Sequence, residues 1–262
     1  MDYAVISVVA LVVSALTLFS GFGLGTLLLP AFVVFFPVSI AVAATAIVHL
    51  VNNAFKAVLL GAKAPWRVVA LFGIPAAVFA VAGAIVLDKL SGMRPIASYE
   101  LGPLEGHVTA VKIVVAVLIA VFSLFEFVPR LQQVSFDRRL ISLGGVLSGF
   151  FGGLSGHQGA LRSAFLMRAG LDKDGFIATS AVTAVVVDVS RLIVYGLTVF
   201  SKHFATVAGS RAVGLVVAGT VAALVGALLG VRFMKKVTMG AVQAAVGVLL
   251  LLTALALAAG II

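Results

Sequence analysis

The sequence contains no cysteine. Disulfides, thiolate nucleophiles, cysteine-type zinc sites and iron–sulfur clusters are therefore excluded. Charge is scarce as well. Asp, Glu, Lys and Arg make up 10% of the 262 residues, and 63% are hydrophobic. A soluble domain carries roughly 25% charged residues. A chain of this length cannot hide so much apolar surface from water, so a soluble globular protein and a disordered chain are both excluded. The apolar runs are continuous rather than alternating, which excludes a membrane β-barrel. What remains is an all-α integral membrane protein, a polytopic helix bundle.

Acidic residues are the rarer sign of charge, 9 against 18 basic, for a net of +9. The basic residues are spread through short connections between apolar segments, as in cytoplasmic loops. That distribution argues against nucleic acid as a partner and for the lipid bilayer. Met1-Asp2-Tyr3 lacks a positive n-region, and the apolar run after it outlasts a signal peptide, so the N-terminus is expected to be mature sequence.

Eight apolar segments can be drawn: 4–36, 38–60, 68–87, 108–128, 140–167, 176–199, 212–231 and 240–262. A spanning helix needs about 20 residues. Segments 4–36 and 140–167 are longer, and glycines break each of them. The first break is Gly21-Phe22-Gly23-Leu24-Gly25, and the second runs from Gly152 to Gly159. Each glycine costs a helix about 1 kcal/mol.

If all eight segments cross, the loop cations divide evenly and give no orientation. If the two broken segments are re-entrant hairpins, one face holds Lys63, Arg67, Arg130, Arg138, Arg139, Arg168, Lys173, Arg232, Lys235 and Lys236. The other face keeps only Lys89, Arg94, Lys202 and Arg211. The positive-inside rule selects the hairpin arrangement, with six crossings and both termini outside; eight plain spans are the alternative.

The halves resemble each other at an offset of about 135. Asn53 aligns with Asp188, Lys56 with Arg191 and Gly61 with Gly196. We expect two membrane repeats, 1–130 and 131–262, each a glycine-broken hairpin plus three spans. Three crossings per repeat make the repeats inverted, an architecture of secondary transporters whose broken helices mark the binding site.

Polar residues inside a membrane are functional candidates by default. Turn backbone and helix starts at Gly23, Gly25, Gly156 and Gly159 offer N–H groups to an anion. His157 and Gln158 sit in the second turn, and Arg162 lies just beyond it. Asp188 and Arg191 are three apart and share a helix face. Asn53 is a further donor, and His49 and Asp188 are candidates for proton coupling. Each has a blander reading: glycines as helix-packing residues, Arg162 and Lys56 snorkelling, Asp188–Arg191 as a structural pair, His49 as a helix-to-helix hydrogen bond. Lys112 and Glu126 are expected at the interfaces, and Gly226 and Gly230 on a packing face. Loop 88–107, the longest connection, either covers the outer face or contacts a second copy in a homodimer.

The broken opening followed by Pro30 and the Ala-rich second helix resembles the TauE/SafE family of membrane permeases. The run Gly149-Phe150-Phe151-Gly152-Gly153-Leu154-Ser155-Gly156 does too. The resemblance covers essentially the whole chain. It implies transport of sulfite, sulfonates or related anions, mostly as export, in a bacterial-type plasma membrane. The sequence leads us to expect a secondary transporter, coupled to H+, with no other cofactor, no metal and no enzymatic activity. The four histidines are scattered without ligand spacing. An anion channel, or an uptake permease for another small carboxylate or sulfonate, is the alternative.

Overall fold

The computed structural model describes residues 2–20, 24–101, 104–201, 210–233 and 239–262. Almost all of this is helix. Helix α1 (Asp2–Ser20) is followed by α2 (Leu24–Val33), α3 (Val38–Leu60) and α4 (Trp66–Ser91). Then come α5 (Ala110–Phe127), α6 (Ile141–Ser155) and α7 (Gly159–Leu166). The chain ends with α8 (Lys173–Tyr195), α9 (Ser210–Phe233) and α10 (Met239–Ala258). A π-helical turn, Gly196–Phe200, continues α8.

Among the described residues, four helices are long and apolar enough to cross a membrane. They occupy Val38–Lys63, Trp66–Ser91, Lys173–Val199 and Ala212–Leu229. Shorter apolar helices cover Asp2–Ala15, Ala110–Phe125 and Gly247–Ala258.

The second glycine break turns the chain back on itself. Gly156 has a φ of 85°, a left-handed conformation that closes α6. Helix α7 then returns along α6. Ser148 Oγ donates to the carbonyl of Gln158 near the turn, and Phe165 lies against Gly144 at the other end. Eight residues of helix rise only about 12 Å, so α7 returns toward the end from which α6 started. The Phe136 N–H donates to the carbonyl of Ala164 there, and the rings of Phe136 and Phe165 stack at 4.3 Å. In the first half, the turn residues 21–23, including Gly23, lie outside the described residues. Gly25 opens α2. Tyr3 lies against Gly214, and Phe36 shares a groove with Ala212 and Val213, so α1 and α2 also begin and end near one another.

Glycines set the closest helix seams. A Cβ on Gly145, Gly149 or Gly153 of α6 would come within 2.0–2.2 Å of the carbonyl oxygens of Phe72, Ala76 and Ala80 on α4. Gly83 meets the Phe150 carbonyl in the same seam. Backbones this close gain dispersion that larger residues would forbid, as is usual between helices in lipid. In the other half, Gly226 of α9 lies on the Leu11 carbonyl of α1. The packing role expected for Gly226 is present. Gly230 lies where side-chain surroundings are not described.

One short strand pair accompanies the helices. Loop 88–107 contains strands β1 (Ala97–Leu101) and β2 (Leu104–Val108), paired antiparallel with Tyr99 opposite Gly106. The Tyr99 ring lies over the bare Gly106, and its hydroxyl donates to the Ala259 carbonyl at 2.6 Å. Lys112 Nζ and the His107 N–H both donate to Gly260. The strands were missed because their stability comes from this docking rather than from their own pattern. Tyr99→Phe should therefore lower stability by about 1 kcal/mol, read as a lower melting temperature in detergent with the helical content unchanged.

Candidate functional site

Helices α3 and α8 run antiparallel through the centre, and the tip of the α6–α7 hairpin rests against them. The sequence of α8 puts Asp188, Arg191 and Tyr195 on one face at spacings of three and four. That face points inward, and all three side chains are fully buried.

Asp188 is the hub. Its Oδ2 lies 2.6 Å from His49 Nδ1 on α3. Its Oδ1 accepts from Arg191 Nε at 3.0 Å, Arg191 Nη2 at 2.7 Å and Gln158 Nε2 at 3.0 Å. Arg191 Nη1 donates to the Gly152 carbonyl at 2.9 Å, and the Tyr195 hydroxyl donates to the Gly153 carbonyl. Arg191 thus adds a second donor to the Gly152 carbonyl, which also accepts the Gly156 N–H that closes α6 at 2.9 Å. Arg191 therefore fastens the hairpin to α8, and its guanidinium also fills the space beside Gly156, 3.2 Å from where a Cβ would stand.

Gln158 joins two groups, because its Oε1 accepts from Arg162 Nη1 at 3.1 Å. Arg162 is buried, and its Nε has no partner. His157 stacks on Phe122 with ring centroids 5.6 Å apart, and its Nδ1 is 3.0 Å from Ser155 Oγ. Ser155 Oγ also lies 3.1 Å from the Phe151 carbonyl, to which it gives its one hydrogen. Nδ1 of His157 must then be the donor to Ser155, which leaves Nε2 of the neutral ring as an acceptor. That Nε2 is buried without a partner. Asn53 Nδ2 is occupied by the His49 carbonyl at 2.8 Å, whereas Ser14 Oγ donates to Asn52 Oδ1.

The structure thus brings His49, Asn53, Gly156, His157, Gln158, Gly159, Arg162, Asp188 and Arg191 to one region. Asp188–Arg191 has its expected pairing, and His49 makes the helix-to-helix hydrogen bond that its blander reading anticipates. Sequence reasoning missed Tyr195, Ser155, Phe122 and a group of buried hydroxyls without partners, Thr45, Ser163, Thr179 and Ser180. Tyr195 had a signal, its spacing of seven from Asp188. The hydroxyls had none, since membrane Ser and Thr often bond only their own helix.

The charge balance decides what the region can do. Among the described residues, Lys56, Arg162 and Arg191 are buried cations and Asp188 is the one buried carboxylate. Around Gln158, where Arg162 and Arg191 meet Asp188, neutral histidines leave an excess of one positive charge. Buried charge without a partner is expensive. Among the described residues no cluster of His, Asp and Glu could hold a metal ion.

The family model described as sulfite exporter TauE/SafE matches residues 6–257, nearly the whole chain. Neither the curated proteins nor the solved structures contain a match.

Proposed function

The chain belongs to the sulfite exporter TauE/SafE family, and on that premise we propose that it is a proton-coupled secondary transporter exporting a small sulfur-containing or organic anion such as sulfite or a sulfonate. The family consists of membrane transporters. The observation that carries the finer reading is the buried Arg162 beside the hairpin turn, whose Nε has no partner.

The mechanism follows from which donors are spoken for. Arg191 is committed to Asp188 and to the end of α6, so it supplies field rather than contact. Arg162, with Nε unpartnered, meets the anion. Gln158 orients Arg162 and ties it to Asp188, while Asn53 holds the turn of α3 that carries His49. His157 is the proton carrier, because protonation turns its unpartnered Nε2 from an acceptor into a donor for the anion. His49 and Asp188 form the second protonatable pair. The turn at Gly156–Gly159 shapes the centre from the second half.

In this reading the chain crosses a plasma membrane six times as two inverted repeats, 1–130 and 131–262, with both termini outside. Two contacts support it. Lys63 Nζ is 2.5 Å from Asp174 Oδ2, and Tyr99 reaches Ala259. Eight plain crossings would hold the partners of each contact on opposite faces, whereas two hairpins put them together. The pairings also interchange between halves: α4 packs on α6 as α9 packs on α1, α3 packs on α8, and α5 on α10.

The test is flux of labelled sulfite from proteoliposomes under an imposed proton gradient. Arg162→Gln should lower flux by about a hundredfold, as expected for loss of a charged partner in a desolvated site. Wild-type flux in this variant, at equal protein in the vesicles, would refute the assignment.

A further inference from the structure

A second cavity, of about 460 Å³, opens at one end of the helix bundle, and we infer that it binds the headgroup of an anionic phospholipid. Three connections build it. Lys63, Ala64 and Pro65 lie between α3 and α4, Arg138 lies before α6, and Ala169 to Asp172 lie between α7 and α8. The central cluster is remote, since Asp174 stands fourteen residues before Asp188 on α8, about 21 Å along the helix. The spans Val38–Lys63, Trp66–Ser91 and Lys173–Val199 all start or stop at this cavity. Its level is therefore the boundary between hydrocarbon and water. Trp66 is exposed beside it, as suits tryptophan in the headgroup layer.

Charge decides what the cavity takes. The stretches 61–67, 136–140 and 167–174 carry six cations, Lys63, Arg67, Arg138, Arg139, Arg168 and Lys173. Against them stand Asp137, Asp172 and Asp174, and all three carboxylates are engaged. Asp137 accepts the Arg139 N–H at 2.8 Å, Asp172 accepts the Gly175 N–H at 2.9 Å, and Asp174 takes Lys63 at 2.5 Å. Among the described residues, Lys63 is the one of the six cations with an ion-pair partner. An excess of three positive charges thus stands in the headgroup layer. The Arg138 guanidinium is held on the cavity wall, its Nη1 4.0 Å from where a Cβ on Gly170 would stand. Helix α4 starts at the rim behind Pro65 without a side-chain cap, which adds the positive end of its dipole.

The rest of the lining separates a lipid from a free phosphate. Ala64, Val68 and Ala169 line the same cavity, as does Leu171. An apolar wall beside a cationic rim, at the edge of the hydrocarbon, fits a glycerol backbone below a phosphodiester. A free phosphate would satisfy the rim and leave the apolar wall wet. Basic pockets between membrane helices recur as sites for acidic headgroups. A lipid seated here ties the α3–α4 connection to the α7–α8 connection, as the Lys63–Asp174 pair does.

The probes are dioctanoyl phosphatidylglycerol, dioctanoyl phosphatidylcholine and glycerol 3-phosphate, each added to the purified full chain in a nonionic detergent. Affinity is read from the concentration dependence of the melting temperature. The anionic lipid should raise it at concentrations where the zwitterionic lipid and glycerol 3-phosphate do not. Arg138→Gln should weaken binding of the anionic lipid about fivefold, as expected for one basic side chain at a membrane surface. Arg138 is exposed, so this variant keeps the fold. Arg94→Gln removes an exposed cation beyond the other end of α4 and should leave the affinity unchanged. Equal stabilisation by the two lipids overturns the inference, and so does equal stabilisation by glycerol 3-phosphate, which would make the ligand a free phosphate. Wild-type affinity in Arg138→Gln, or the same loss in Arg94→Gln, overturns it as well, since the attraction would then belong to the whole surface and not to this cavity.

Discussion

Asp188→Ala should unfold the protein more readily than any other single change in the central cluster, by about 3–5 kcal/mol. The carboxylate takes four hydrogen bonds from three residues on three different elements. Its loss strands the His49, Gln158 and Arg191 donors in a region without water, and each stranded donor costs its full desolvation. Asp188→Asn fares little better, since it leaves the buried Arg191 guanidinium without its counter-charge. A paired replacement separates this charge effect from packing. Asp188→Leu with Arg191→Met removes both ions and fills the space, and it should be less destabilised than Asp188→Ala alone. Thermal melts of the three variants check this. A wild-type melting temperature for Asp188→Ala would mean that the cluster contributes nothing to the fold.

The second large effect is steric. Gly149→Val places methyl groups where Ala76 contributes backbone, and even a Cβ would stand 2.2 Å from the Ala76 carbonyl oxygen. Backbone cannot swing aside as a flexible side chain can, so α4 and α6 must separate along the stripe of Gly145, Gly149 and Gly153. We expect a loss of about 3 kcal/mol. Transport should fall as well, because the end of α6 carries the Gly152 and Gly153 carbonyls that position Arg191 and Tyr195. Gly196→Ala is the control. A Cβ there meets nothing within 4 Å, so melting should be unchanged or slightly raised through the unfolded chain. Equal damage from both substitutions would show that glycine as such, rather than the seam, is what matters.

Much of this arrangement is legible in the sequence because it is local. The hairpin break is written in Gly152 to Gly159, and the Asp188–Arg191 pair is written in a spacing of three. What is not legible is what arises only when distant elements meet. His49 and Asp188 are 139 residues apart, and each reads as an isolated polar group until α3 lies along α8. Gly145, Gly149 and Gly153 look like part of the same glycine-rich break as Gly156, but a helix seam and a chain reversal use glycine for different reasons. The seam needs the missing Cβ, and the reversal needs a positive φ. Arg191 illustrates the limit for the site. Its charge and depth mark it as an anion ligand, and only the structure shows its donors spent on Asp188 and the hairpin. The strands at 97–108 are the clearest omission, since Tyr99 acquires its meaning from the Ala259 carbonyl.

The glycine seams have a consequence for synthesis. Each joins a helix from one half to a helix from the other: α4 to α6, and α9 to α1. While the chain emerges from the ribosome, α4 is complete before α6 exists, and α1 waits longer still for α9. Their narrow backbone-to-backbone faces stay covered by lipid until the later helices arrive. The early half keeps its own contacts, such as Ser14 to Asn52, but lacks both glycine seams. The seams themselves close only when the late half inserts and α6 meets α4 and α9 meets α1.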